Sequence, residues 1–515
     1  MRAALFLSLL AAPLLTTSSG ASGSWSPPDP VPLDSVAAPS AALSGGVLHV
    51  AVNTFSFRYT PEFDVRSEDV WVVSRADRVW SDPVNVSQTP TESLRPTIAV
   101  GPDGDRHVVW GERTRDVGSP SAVTSLFYAT DRDGTWSPAQ EIVATTEPQR
   151  GLSRRSLPVS LAVTQGGAVH VVFDGRDAGS RPQVQHFRRS ANGTWDDVSS
   201  LLGHAPGLAE EDGVLYVSYE PDDPASGVAR LGDVVVVTSG DDGGTWSAPE
   251  VVYDASAESP GCVLPAVDTR VAVDDGVVHA VWSRDSAFPC EPGVHFVIPR
   301  EVLHAARPAE RPSAWSDATA ALSELPTGAP NQYVSLRLAV SEGDAHVAAY
   351  AQSGSQLGAG TQVYSSRQGG SWSPAEPLLG LDLNTSDVGI AAKPGSLTAI
   401  AGGFRVGGEF DRRVYASTRR GLGTGGRDQP TPTAHGGVGV PWPNPAHGRF
   451  TVAVDPGGVE SVLEVVDAAG RVALAVPVGG RTEVEVDASG LAAGRYVVRL
   501  EGATGPSGRA VTIIR

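Results

Sequence analysis

The sequence predicts an all-β protein: a seven-bladed β-propeller closed by its own N-terminal strand, plus a small C-terminal β-sandwich. Three observations predict it. A two-strand phrase returns seven times, a phrase built around tryptophan closes six of the copies and stands alone once near the start, and beyond Arg420 alternating strands continue without the repeat. Gly 58 and Pro 40 against a single Met fit many turns and few long helices.

Residues 1–22 come first. Arg2, the apolar run from Ala3 to Leu15 and the small residues after it have the layout of a secretory signal peptide. The run is shorter than the roughly 20 apolar residues of a membrane span, and no later stretch reaches that length, so no transmembrane segment is expected. The formal charge is −19, and every basic residue but Lys393 is arginine. Nucleic acid and anionic membrane would both be repelled, and neither is expected as a partner.

Residues 23–420 carry the repeat. It reads "SAALSGGVLHVAV", "TIAVGPDGDRHVVW", "SLAVTQGGAVHVVF", "GLAEEDGVLYVSY", "RVAVDDGVVHAVW", "RLAVSEGDAHVAAY" and "GIAAKPGSLTAIAG". Each copy is two alternating runs joined by a tight Gly turn, a β-hairpin, and puts His49, His107, His170, Tyr216, His279, His346 and Thr398 in equivalent places. Each equivalent residue belongs to a different blade, so packing explains the histidines and no metal site or cofactor is expected.

A second phrase, a strand, a polar turn and Trp-Ser or Trp-Asp, closes the copies at Trp80, Trp136, Trp195, Trp246, Trp315 and Trp372. The seventh copy, followed by "RRVYASTRR", lacks it. Its missing piece is the isolated "SWSPPDPV" around Trp25. Four-stranded units packed radially need their ends tied, and the N-terminal segment serving as the outer strand of the last blade would tie them.

The fullest closing phrase is "SGDDGGTW", with Ser239, Asp241, Gly243, Thr245 and Trp246; "TDRDGTW" around Asp133 and Trp136 is one residue shorter. These phrases resemble the Asp-box, or bacterial neuraminidase repeat, of sialidase-like propellers. In that family the turn is structural and lies away from the ligand. The family's enzymes have six blades, three arginines on the substrate carboxylate, an acid/base Asp and a Tyr–Glu nucleophile. This chain departs from them: it gives seven blades, and "SLRPTIAV" around Arg95 only weakly echoes the family's Arg-x-Pro signature.

Topology indicates where a ligand would sit. The loops after the second strands are rich in Arg and Asp: Phe57, Arg58 and Tyr59; Arg113 and Arg115; Asp174, Arg176 and Asp177; Glu220 and Asp222; Arg284 and Asp285. Two readings stand, bridges between neighbouring loops or a polar ligand site at Arg58, Arg113, Arg176, Asp177, Arg284 and Asp285. Arginine forks suit carboxylates, sulfates and uronic acids. Cys262 precedes the first strand of the fifth blade and Cys290 follows its second, which brings both to one rim and predicts a disulfide.

Residues 421–437, rich in Gly, Pro and Thr, form a linker on this reading. In 438–515, alternating strands with Gly or Asp turns predict a small β-sandwich. Pro443, Asn444, Pro445 and Gly448, then Asp467, Gly470 and Arg471, then Leu491, Gly494 and Tyr496, resemble the C-terminal sorting domain of type IX secretion cargo. The resemblance implies export across the outer membrane by the type IX machinery, followed by release or attachment to the surface; an ordinary carbohydrate-binding sandwich is the alternative.

Two function classes remain. One is a non-catalytic binding module for glycan or protein at the top face, and the other a sialidase-like glycoside hydrolase or lyase acting on anionic glycans. No nucleotide loop, hydrolase elbow or metal-binding helix motif supports a third.

Overall fold

The computed structural model describes residues 25–59, 63–113, 125–132, 134–144, 159–176, 181–190, 192–222, 232–255, 266–284, 301–310, 314–323, 331–353, 360–378, 388–404, 412–420, 446–447, 449–453, 462–467, 471–478, 483–500 and 509–514. The described residues are all-β, with no helix among them. They fall into two compact bodies, Met1–Gly425 and Gly426–Arg515. The signal-peptide residues 1–22, Cys262 and Cys290 lie outside the described residues.

The hairpins follow from their turns. Glu211 pairs with Val214 and Asp274 with Val277, which leaves Asp212-Gly213 and Asp275-Gly276 as two-residue loops. Both loop residues have positive φ (50° and 79°, 52° and 69°), the geometry that Asp-Gly favours and that matches strand twist. The second strands they lead into, Val214–Pro221 and Val277–Arg284, are buried almost continuously, on both faces.

Seven such antiparallel units can be traced among the described residues of the first body. The first runs Val36–Ser44, Val47–Tyr59, Phe63–Ala76 and Val79–Trp80, and the seventh runs Val388–Lys393, Ser396–Phe404 and Arg412–Arg420, with Asp29–Pro30 as its fourth member. Each unit's first strand lies against that of the next: 36–44 on 92–100, then 160–163, 195–211, 266–274, 331–341 and 388–393, and 388–393 lies against 36–44. Side chains stitch several of these seams. Ser40 Oγ accepts from Ile98 N at 3.2 Å, Thr97 Oγ1 donates to the Val159 carbonyl at 2.8 Å, and Ser160 Oγ donates to that of Pro206 at 3.2 Å.

The third and fourth units differ from the sequence expectation of separate sheets. One continuous strand, Trp195–Glu211, pairs with Pro182–Arg189 through its first half and with Val214–Pro221 through its second. The change of partner falls at Gly203, where φ is 154° and a Cβ would lie 2.3 Å from the Glu220 carbonyl oxygen. A bulge between His204 and Gly207 follows and bends the strand into its new sheet.

The equivalent histidine positions share one register. His49, His107, His170, Tyr216, His279, His346 and Thr398 stand opposite Ala42, Ala99, Ala162, Ala209, Ala272, Ala339 and Ala391. The small partner leaves room for the ring, which hydrogen-bonds across to the third strand: His107 to Tyr128, His346 to Tyr364, His170 to His186 and His279 to His304, at 2.8 to 3.0 Å.

Trp-Ser has an equally local cause. In five units the serine after the tryptophan donates its N–H to a third-strand carbonyl and accepts that same residue's N–H on Oγ: Ser81 with Ser74, Ser137 with Thr130, Ser247 with Thr238, Ser316 with Ala306 and Ser373 with Ser366. Ser26 makes the same pair of bonds with Thr418, at 2.9 and 3.0 Å. The tryptophans repeat as well. Trp195, Trp246 and Trp372 stand edge-on to Tyr128, His186 and His304 of the preceding unit, and Trp25 does the same to Tyr364, with centroids 5.3 Å apart.

In the second body, one sheet orders Ala446–His447, Arg509–Ile514, Gly494–Leu500, Val462–Val466 and Val472–Pro477, and a pair joins Arg449–Ala453 to Glu483–Asp487. Phe450, Val452, Val484 and Val486 of the pair share one buried cluster with Leu463, Val465, Tyr496, Val498 and Ile513 of the sheet.

Candidate functional site

The "SGDDGGTW" turn closes on its own side chains. Asp241 Oδ1 accepts from Ser239 Oγ at 2.7 Å and from Thr245 N at 2.9 Å, while Oδ2 accepts from Thr245 Oγ1 at 2.7 Å. These bonds hold the Asp241 carboxyl down to about 2. Gly243 has φ 80°, and a Cβ there would lie 2.1 Å from His186 Cε1, so the turn is pressed onto the third unit. Trp246 Nε1 donates to Ser199 Oγ of that unit at 2.8 Å. Trp136 takes the cation of Arg106 over its ring at 5.3 Å, whereas Asp133 lies outside the described residues.

The opposite face, where second strands end and first strands begin, is built on bulges. Five first strands shift register there, and each has a left-handed non-glycine residue: Ala38, Arg95, Ala205, Asp268 and Ser335, with φ between 47° and 60°. Bulges re-aim side chains and concentrate near functional sites. The end of the preceding unit's second strand latches two of them: Asn53 Oδ1 accepts from Arg95 N at 3.3 Å, and Asp174 Oδ1 accepts from Ala205 N at 2.6 Å.

The rim arginines with described side chains are braces. Arg113 is 6% exposed and donates Nε to Glu92 Oε2 at 2.7 Å; Arg284 donates Nε to Glu301 Oε2 at 3.0 Å and lies over Tyr253. Glu92 and Glu301 are their direct cross-strand partners, so each pair stiffens its own sheet. Arg58 and Arg176 lie in strands Val47–Tyr59 and Val169–Arg176 with only their backbone described, and Asp177 and Asp285 lie outside the described residues. Glu112, also buried, is saturated by Thr89, Thr91, Ser93 and Trp110.

Between the third, fourth and fifth units the bulged face gathers a group whose assembly the sequence did not signal. Glu220 is buried with Oε2 3.3 Å from His204 Nε2; Asp174 lies beside it, and Asp268, 2.6 Å from Arg270, approaches from the fifth unit. Burial and then the neighbouring carboxylates push Glu220 well up; burial also pushes Asp174 up. Asp174 and Glu220 stood in the charged loops of the sequence, but His204, Asp268 and Arg270 did not, because bulges break the alternation that marks a strand. One signal was present: Pro39, Pro96 and Pro206 each follow a left-handed residue.

In the second body, Leu491 packs against the core with its N–H on the Ala488 carbonyl. Gly494 opens the strand Gly494–Leu500, and Tyr496 donates its hydroxyl to the Ala492 carbonyl at 2.9 Å. Asp467 accepts the N–H and Nε of Arg471 at 2.9 and 2.8 Å, closing the turn between them. Pro443, Asn444, Pro445, Gly448 and Gly470 lie outside the described residues.

Residues 441–513 match the secretion system C-terminal sorting domain. The sorting domain implies an interaction with the type IX secretion machinery and export to the outer surface or beyond it. No helix among the described residues is long and apolar enough to cross a membrane. No curated protein matches the chain. Among solved structures, an ulvan lyase from a new family of polysaccharide lyases is 11% identical, with 76% of this chain and 95% of that one covered and a TM-score of 0.45. A Dyadobacter fermentans protein of unknown function is 11% identical over 75% of this chain and 95% of its own, TM-score 0.42, and Trypanosoma rangeli sialidase 11% over 75% and 55%, TM-score 0.41.

Proposed function

We propose that the first body is a seven-bladed β-propeller, closed by its N-terminal strand and exported as type IX cargo. Outside the cell, released or surface-attached, it works as a non-catalytic binding module for a glycan or protein. The circuit of neighbouring first strands supports the ring, and the bonds of Ser26 and Trp25, which repeat those of the other closing segments, support the clasp. On this reading the Ser239–Trp246 turn is a structural Asp-box, 421–437 is a linker and 438–515 is the sorting domain.

The observation that carries the binding reading is the bracing of the bulged face, with Arg113, Arg284 and Glu112 all consumed inside the frame. A stiff frame presents the segments that follow each second strand. We assign ligand contacts to Arg58, Arg176, Asp177 and Asp285, and bracing to Arg113 and Arg284. The exported protein on a glycan array, with turnover checked on whatever binds, tests this. Arg176→Ala should weaken anionic-ligand affinity about tenfold or more, the loss of one bidentate contact, whereas Arg113→Ala should lower the melting temperature. Unchanged affinity in Arg176→Ala would refute the assignment.

One observation favours the second reading, a glycoside hydrolase or lyase: the Asp174 and Glu220 carboxyls are pushed up, as a general acid requires. Turnover of a uronide or sialoside reporter that is lost in Glu220→Gln would establish it.

A further inference from the structure

The group around Glu220 has a protonation problem that its geometry solves. His204 Nδ1 lies 3.2 Å from the Glu220 carbonyl oxygen, and Nε2 lies 3.3 Å from Glu220 Oε2. A carbonyl only accepts, so Nδ1 carries the ring proton. In the neutral ring Nε2 is then a bare acceptor facing a carboxyl oxygen, and one proton must lie between the two. Either Glu220 is a carboxylic acid donating to His204, or His204 is an imidazolium facing a carboxylate.

The surroundings decide between them. Glu220 is 3% exposed, and its Oε1 has no hydrogen-bond partner among the described residues. The charged groups facing it are Asp174 from the second strand of the third unit and Asp268 and Arg270 from the first strand of the fifth. Arg270 is already matched by Asp268 at 2.6 Å and donates to the Thr269 carbonyl. An ionised Glu220 would therefore face Asp174 with a buried, unsatisfied oxygen, which is far costlier for a carboxylate than for the C=O of an acid. The first unit shows that latching a bulge needs no charge, since the Asn53 amide does it.

We propose that Glu220 is a carboxylic acid at neutral pH, donating its proton to His204 Nε2, and that this buried proton locks the bulges of the fourth and sixth units. Loss of the proton sets Glu220 against Asp174 and Asp268, whose carboxylates hold the N–H groups of Ala205 and Leu336. Both latches on the bulged face then loosen. The upward push on Glu220 and Asp174 agrees with this arrangement. The site acts in the same way whether the face binds its ligand or cleaves it.

Infrared spectroscopy of the full-length protein at neutral pH should show the C=O stretch of a protonated carboxyl that is absent in Glu220→Gln and kept in Asp174→Asn. Folding should also take up this proton. A carboxyl raised on folding contributes stability at low pH and loses it as pH rises, so between roughly pH 5 and 8 the wild-type folding constant should fall up to about tenfold more per pH unit than that of Glu220→Gln. The glutamine variant keeps a donor to His204 and should fold. A nitrogen-15 NMR signature of doubly protonated His204 beside an ionised Glu220, equal pH slopes in wild type and Glu220→Gln, or loss of the band in Asp174→Asn would each overturn the proposal. Should Glu220→Gln fail to fold, the wild-type band and its fate in Asp174→Asn still decide.

Discussion

Single residues in the closing turns act through space that a larger neighbour would need. Gly243 combines φ 80° with a Cβ position 2.1 Å from the His186 ring, whereas Gly104, at φ 86°, has nothing within 4 Å of its Cβ position. Gly104→Ala should therefore cost only the left-handed backbone penalty, about 1 to 2 kcal/mol. Gly243→Ala adds the clash, so it should cost about 1 to 3 kcal/mol more as His186 is forced off its partners; urea denaturation of the two variants measures the difference, and equal costs would show that the turn does not press on the third unit. The glycines, the Trp-Ser pairs and the equivalent histidines were all legible in the sequence because each acts in a hairpin of fixed length, where spacing along the chain is spacing in space. The bulge residues were not. Nothing in the side chains of Ala38, Ala205 or Ser335 announces positive φ, and the carboxyls of Asp174 and Glu220 gain their partners only when units that are separate in sequence pack together.

Among the elements, the N-terminal strand is bound to three units at once. Trp25 donates Nε1 to Glu376 of the sixth at 3.2 Å, Ser26 and Val31 bond to Thr418 and Val414 of the seventh, and Asp29 accepts from Arg75 and Trp80 of the first at 3.2 and 3.0 Å. Val31 is 1% exposed. Burying such a side chain contributes about 1.5 to 3 kcal/mol and each net hydrogen bond about 1, so removing Ser24 to Val31 should cost several kcal/mol and leave the strand Arg412–Arg420 with an unpaired edge. An unchanged melting temperature in that truncation would rule out the clasp. The sequence named this strand because its wording repeats; Asp29 and Glu376 share a place in that wording, four residues after Trp25 and Trp372, but their role as anchors was not legible because their partners Arg75 and Arg419 lie in the next unit around. The pairing of Cys262 with Cys290 stays a proposal from spacing. Peptide mapping without reduction should find the two joined, closing a loop of about 29 residues worth on the order of 3 to 4 kcal/mol, and free thiols in the exported protein would refute it.

At the scale of the whole molecule, export and folding are assigned to different bodies, so deleting 438–515 should retain the protein inside the outer membrane while its melting temperature barely moves. Normal export of that truncation would remove the sorting role. The first body should in turn be sensitive to acid, for a reason distributed around its units. Burial, ahead of any charge, lowers His49, His107, His170, His279 and His346 to about 4 and His186 to about 3. In the folded state these rings are neutral and hydrogen-bonded to Ser74, Tyr128, Tyr364 or another histidine. A base whose folded value lies below its unfolded 6.5 leaves stability untouched above that pH. As pH falls further, the unfolded chain takes up protons that the folded one refuses, and each such ring loses up to about 1.4 kcal/mol per pH unit until its folded value is reached. Glu220, Asp174, Glu210 and Glu211 work the other way, since burial raises them and folding binds protons there, but these four carboxyls oppose seven rings once His304, which burial lowers well below its ordinary value, is counted. Stability should therefore stay level from pH 8 to about 6.5 apart from the Glu220 slope, then fall steeply towards pH 4, with the whole first body unfolding in one transition because the histidines lie in five of its units. Replacing the His170 and His186 pair by Phe and Tyr should shift that acid midpoint down. A midpoint unmoved by the double substitution would show that buried imidazoles do not set the acid limit.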